Sequence, residues 1–219
     1  MDIRQISNQR KYDLAASSYD FIACLMSLGQ ANRLYDELAD CFDLPPGATI
    51  VELGCGPASV IPSLLKKIPS TTTVIGIDFS EQMIAIANRK KEQYQWDNVH
   101  FECMDMYDFA PEKELDAVVF CLALTAIPDS IKALKKAMAI LKPGGQLLIL
   151  DSIPLNSRWY HPFANIYIYA KSMIVGAKPN KSIGDYISNN LENVAAKERV
   201  FGVYTLISAF KPVDAGAGL

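Results

Sequence analysis

Hydrophobic positions along the chain change period several times, and the changes predict its elements. The first forty or so residues follow a helical pattern, with Tyr12, Tyr19, Phe21 and Tyr35 among Ala, Leu and charged residues. Leu44-Pro45-Pro46-Gly47 breaks that pattern, because consecutive prolines cannot continue a helix. Beyond it, short apolar runs alternate with helical stretches. Strands are predicted at Thr49–Leu53, Thr72–Asp78, Val99–Cys103, Asp116–Phe120 and Gln146–Asp151. Helices are predicted over Ser59–Lys67, from an N-cap at Ser80 toward Tyr94, and over Ser130–Leu141. Lys142-Pro143-Gly144-Gly145 predicts a tight turn into the fifth strand. Arg158–Val175 reads as a long aromatic-rich helix and Ile183–Leu191 as a shorter one. Val194–Val200 and Val203–Phe210 complete the pattern as a hairpin joined at Phe201-Gly202.

Strands that are apolar throughout, rather than alternating, are buried on both faces of a parallel sheet. Five βα repeats followed by an antiparallel hairpin therefore predict a doubly wound, mixed α/β sheet of seven strands with right-handed crossovers. The expected division is a helical segment over 1–43, a core over 44–212 and a tail over 213–219. With 50% hydrophobic and 21% charged residues, the composition excludes a disordered chain. A net charge of −3 supplies no dominant basic field for a nucleic-acid backbone. The five cysteines form no C-x-x-C pair, so no zinc framework is expected. The polar opening Met1-Asp2-Ile3-Arg4-Gln5 and the absence of an eighteen-residue apolar run predict a cytoplasmic chain with reduced thiols.

In an open α/β sheet, ligands bind at the carboxyl ends of the strands, where the strand order reverses. The first such loop holds Gly54-Cys55-Gly56, whose glycines permit a sharp turn and close approach of a ligand, with the carboxylate of Glu52 beside it. Asp78 ends the second strand and can accept both hydroxyls of a ribose. Asp105, after the third strand, can accept from an adenine amino group, with Met106, Phe79 and Met83 as apolar faces for the base. Backbone carbonyls at Cys121 and Leu122 can hold an ammonium group. A dinucleotide is disfavoured: its fingerprint needs glycine where Ser59 stands, and Glu52 would repel a pyrophosphate.

Val51-Glu52-Leu53-Gly54-Cys55-Gly56-Pro57-Ala58 resembles the first motif of class I S-adenosylmethionine methyltransferases. Ile75-Gly76-Ile77-Asp78-Phe79-Ser80-Glu81-Gln82-Met83 resembles their second, and Leu141-Lys142-Pro143-Gly144-Gly145-Gln146 the turn before their fifth strand. The resemblance implies a Rossmann-like sheet with its last strand antiparallel, and S-adenosyl-L-methionine as cofactor. It also implies that Gly54 and Gly56 pack on that cofactor, Asp78 binds ribose, Asp105 and Met106 meet adenine, and Leu122 lies near the methionine part. Ala58 departs from the pattern, which has a third glycine there, and is expected to pack more tightly.

Two additions point to the acceptor. Tyr12-Asp13-Leu14-Ala15-Ala16-Ser17-Ser18-Tyr19-Asp20 resembles the opening of the ubiquinone and menaquinone biosynthesis methyltransferases and of bacterial phospholipid N-methyltransferases. That resemblance implies a lid whose Tyr12 and Tyr19 close over cofactor and substrate, with Tyr19 the catalytic candidate. The aromatic segment from Arg158, with Lys171 and Lys178, suits a pocket wall or, over 158–178, peripheral contact with a membrane. Within it, His161 is a candidate base. The loop Cys121-Leu122-Ala123-Leu124-Thr125-Ala126-Ile127-Pro128-Asp129 lacks the Arg-Asn pair of quinone C-methyltransferases. The expected reaction is methyl transfer to a small apolar or lipid-like acceptor, by quinone C-methylation or by phospholipid or amine N-methylation. The alternative is a cofactor-binding partner protein without catalysis.

Overall fold

A computed structural model describes residues 29–154, 161–175 (side chains through 170) and 180–213. Six helices lie in these stretches: α1 (Ala31–Ala39), α2 (Ile61–Leu65), α3 (Glu81–Tyr94), α4 (Ser130–Ile140), α5 (His161–Val175) and α6 (Ser182–Asn190). The strands are β1 (Thr49–Leu53), β2 (Thr73–Asp78), β3 (Val99–Cys103), β4 (Leu115–Cys121), β5 (Leu141–Asp151), β6 (Glu192–Arg199) and β7 (Tyr204–Phe210). They form one sheet in the order β3-β2-β1-β4-β5-β7-β6, parallel except at β7, which runs antiparallel to both neighbours. The predicted seven-stranded mixed sheet is present.

The central strands bury both faces. Ile50 of β1 faces an apolar cluster that also holds α1, α2 and part of α5, while Val51 and Leu53 face a second cluster with α4 and α6. The edges differ: β3 exposes His100, Glu102 and Cys103, and β6 is exposed along most of its length. That explains why their sequences are more polar than β1 or β4.

Local chemistry accounts for the helix starts. The Ser80 hydroxyl accepts from the Met83 amide (3.3 Å) and the Asp129 carboxylate from the Lys132 amide (2.9 Å), each satisfying an orphan donor in a first turn. Two expectations change. The helix predicted over Ser59–Lys67 is reduced to five residues, with Pro62 in its first turn. The turn predicted at Lys142–Gly145 is a wide irregularity inside β5: Leu141 pairs with Leu115 and Gln146 with Ala117, so the intervening residues bulge out. Gly144 takes φ 73° there, and its amide donates to the Lys211 carbonyl. The predicted hairpin stands, with Val200, Phe201 and Gly202 all at positive φ between its strands.

Candidate functional site

The chain leaves β1 and crosses to β2, then returns past β1 to β4, so the tips of β1 and β4 border the point where strand order reverses. A crevice opens there, enclosing about 780 Å³ including its mouth. Its floor is the turn after β1. The amides of Gly54 and Cys55 both donate to the Ile77 carbonyl (2.8 and 3.0 Å), which folds the turn back onto β2. Gly54 adopts φ 77°, and a Cβ on it would meet the Ala123 Cβ at 2.7 Å, so only glycine lets this turn and the loop after β4 touch. Gly56 also has positive φ, but a Cβ there would meet nothing within 4 Å, because it faces the crevice.

Asp78 ties the floor to the wall. One carboxylate oxygen accepts from the Gly56 amide (2.9 Å), the other from the Ser80 amide (2.9 Å). It therefore shapes the glycine turn and the start of α3 while also lining the crevice. Asp105 lines it from beyond β3, where its Oδ1 accepts from the Tyr107 amide (3.1 Å) and closes a local turn. Phe79, Met83, Met106 and Leu122 join them in the same cavity, Leu122 at φ 56° with its amide donating to the Leu150 carbonyl.

Other candidates fall elsewhere. Glu52 and Cys121 lie behind the crevice wall, both buried, with Glu52 only 2% exposed. Burial and the charge of Asp78 push the Glu52 carboxyl well above the usual carboxylate range, and burial does the same to the Cys121 thiol. His161 is not brought to the crevice. It is 1% exposed at the start of α5, with Nε2 3.1 Å from Glu198 Oε1 on β6, an arrangement that anchors a helix rather than presents a base. Tyr12, Tyr19, Arg158 and Lys178 lie outside the described residues, as does the side chain of Lys171.

Sequence reasoning missed Met104, Tyr107, Ala123 and the Ala126-Ile127-Pro128 stretch, which also line the crevice. The apolar run after β4 was the available signal. Tyr107 is fixed by Lys132, whose ammonium stands 4.3 Å above its ring, and its own hydroxyl donates to the Asp129 carbonyl (3.3 Å). Burial pushes that hydroxyl up to about 12, so it stays protonated. Ala58 also holds a surprise: it is fully buried at φ 61°, so the third glycine of the motif is replaced by a residue strained in the left-handed region.

Among the described residues, the lining side chains include two carboxylates, Asp78 and Asp105, and no basic group. A crevice of this kind at the switch point of such a sheet suits a ligand with hydroxyls, an adenine-like ring and a cationic end, and is hostile to a pyrophosphate. The molecule is of the S-adenosylmethionine-dependent methyltransferase class. Residues 2–194 match the ubiE/COQ5 methyltransferase family, and the chain belongs to it. A demethylmenaquinone methyltransferase of Bacillus licheniformis is 29% identical over 136 residues, 62% of this chain and 58% of that protein. A 2-phytyl-1,4-naphtoquinone methyltransferase of Nostoc sp. is 28% identical over 196 residues, 86% of this chain and 84% of that protein. Among solved structures, Haemonchus contortus phospholethanolamine N-methyltransferase 2, in complex with phosphomonomethylethanolamine and S-adenosylhomocysteine, has the same fold. Its TM-score is 0.71 at 16% identity, over 91% of this chain and 57% of that one.

Proposed function

We propose that the chain transfers a methyl group from S-adenosylmethionine to a quinone-type ring bearing an apolar tail. The observation that carries the cofactor half of this reading is the crevice itself: a glycine turn open to a ligand, with two carboxylates and, among the described residues, no basic side chain. Bound S-adenosylmethionine supplies an electrophilic methyl on a sulfonium. Gly54 and Gly56 give the room, Asp78 accepts from the ribose hydroxyls, and Asp105 accepts from the adenine amino group. Phe79, Met83 and Met106 supply the apolar faces for the base, and the carbonyls of Cys121 and Leu122 the ammonium contacts. The chain's main catalytic contribution is to align acceptor and methyl in a dry site.

The acceptor half is supported by the quinone-type substrates named for relatives that span most of the chain, and by the apolar lining contributed by the loop after β4. That same loop lacks an Arg-Asn pair, which favours phospholipid or amine N-methylation as the second reading. Ala31–Ala39 is packed in the core, so the lid role falls to the residues before it, with Tyr12 and Tyr19 the contacts and Tyr19 the catalytic residue. The division at 44 and the tail at 213–219 belong to the same reading. His161, anchored on Glu198, acts here as a positioning residue for α5. Phe163 and Ile166, each 68% exposed on α5, together with Tyr169 support peripheral contact with the membrane that would carry such an acceptor. No helix among the described residues is long and apolar enough to cross a membrane. Incubating the protein with labelled S-adenosylmethionine and panels of demethylated quinols, ethanolamine phospholipids and free amines tests this. Label in the quinol ring is the expected result; label only in phospholipid or amine nitrogen would overturn the quinone reading.

A further inference from the structure

One wall of the crevice is the irregular stretch between β4 and α4, from which Leu122, Ala123, Ala126, Ile127 and Pro128 line the cavity. Such a stretch has no strand ladder to fix its height, so its ties to neighbouring elements decide where it stands. The Leu122 amide donates to the Leu150 carbonyl (2.7 Å), and the Ser130 hydroxyl at the start of α4 donates to the Leu124 carbonyl (2.9 Å). In the middle, Thr125 binds one carboxylate twice. Its amide donates to Asp151 Oδ2 (2.9 Å) and its hydroxyl to Asp151 Oδ1 (2.7 Å). That carboxylate, at the tip of β5, is itself held by the Ser152 amide, which donates to Oδ1 (2.6 Å). Thr125 is 4% and Asp151 2% exposed, so water does not stand in for these bonds when they are lost. On its other side the stretch meets the glycine turn at Ala123, where a Cβ on Gly54 would come to 2.7 Å.

The residue type fits the task. A carboxylate accepts at both oxygens, and these two meet the Thr125 amide, the Thr125 hydroxyl and the Ser152 amide; an Asn would turn an N–H toward one of those donors. Neither Asp151 nor Thr125 lines the crevice, so their effect on the chemistry passes through the wall they hold. We propose that Asp151 is a positioning residue for methyl transfer: by binding Thr125 at amide and hydroxyl, it sets the Leu122–Pro128 wall against the glycine turn and so aligns the acceptor with the methyl. The inference rests on the methyl-transfer reading. A displacement of about 1 Å in such a wall costs on the order of a hundredfold in rate. The donor is spared, because it sits on the glycine turn and Asp78, and Leu122 keeps its own tie to Leu150.

Steady-state transfer from labelled S-adenosylmethionine to a demethylated naphthoquinol, beside calorimetry with S-adenosylhomocysteine, separates alignment from donor binding. Asp151→Asn should lower kcat by about tenfold or more, with KM for S-adenosylmethionine and affinity for S-adenosylhomocysteine within about threefold of wild type. Thr125→Val loses the hydroxyl bond and keeps the amide bond, so its kcat should fall less. Thr125→Ser keeps both donors and should restore kcat. Unchanged kcat per folded molecule in Asp151→Asn, or donor affinity lost in proportion to kcat, would overturn the inference. If Asp151→Asn fails to fold, the comparison of Thr125→Val with Thr125→Ser decides in the same way. If wild type leaves the quinol unlabelled, the quinone reading falls, and amide hydrogen exchange with S-adenosylhomocysteine bound decides this one. Exchange over Leu122–Ile127 should quicken by about tenfold in Thr125→Val while the Gly54–Gly56 amides keep theirs; equal exchange in both proteins would overturn it.

Discussion

On the β3-β2-β1-β4 side the strand tips are held by backbone amides of the glycine turn, whereas the β5-β7-β6 side is joined through side chains. At the first, Gly54, Cys55 and Gly56 amides reach Ile77 and Asp78. At the second, buried Gln146 donates to the Cys41 carbonyl (2.7 Å) and the Ser208 hydroxyl (3.0 Å) and accepts from the Asp43 amide (3.0 Å). Arg199 pairs with Glu37, and His161 with Glu198. Backbone geometry constrains residue type tightly, so the donor side is written in glycines at fixed places. Side-chain ties can be made by many residue pairs, so the other side leaves no such signature.

Substitutions can break that contrast. Gly54→Val should have the largest effect, because its side chain would drive into Ala123 and force a β-branched residue to φ 77°. Donor binding should disappear in calorimetry, and the melting temperature should fall by many degrees. Asp78→Asn leaves one oxygen for two amides, so the Gly56 or Ser80 amide loses its partner at a cost of about 1–3 kcal/mol. Chemical denaturation should show that loss together with weaker S-adenosylhomocysteine binding. Gln146→Ala removes three hydrogen bonds from the other side and should cost about 2 kcal/mol of stability, while leaving donor affinity unchanged. Ala58→Gly should have the smallest effect and the opposite sign. Relieving φ 61° is worth about 1 kcal/mol, seen as a slightly raised denaturation midpoint.

What was legible follows the same divide. The mixed sheet and the cavity residues Asp78, Phe79, Met83, Asp105 and Met106 were readable because each ends a strand or follows closely on one. The carboxyl of Glu52 was placed beside the loop, yet it lies behind it, since a pairing register with Gly76 and Val119 is invisible in one sequence. His161 looked free to act as a base because its partner, Glu198, is 37 residues away on an edge strand. The bulge in β5 was read as a turn because Lys142-Pro143-Gly144-Gly145 has turn chemistry, and only its pairing with β4 shows that the ladder resumes. Left-handed Ala58 had no signal beyond the missing glycine.

The central claim is that the methyl donor lies against the glycine turn, and Gly56→Ala tests it most directly. A Cβ at Gly56 touches nothing in the protein within 4 Å, and Ala58 shows that this turn accepts alanine at a similar φ. Calorimetry with S-adenosylhomocysteine should therefore show binding weakened by about tenfold or more, with the melting temperature lowered by only a few degrees. Wild-type affinity in a folded Gly56→Ala protein would contradict the placement of the donor.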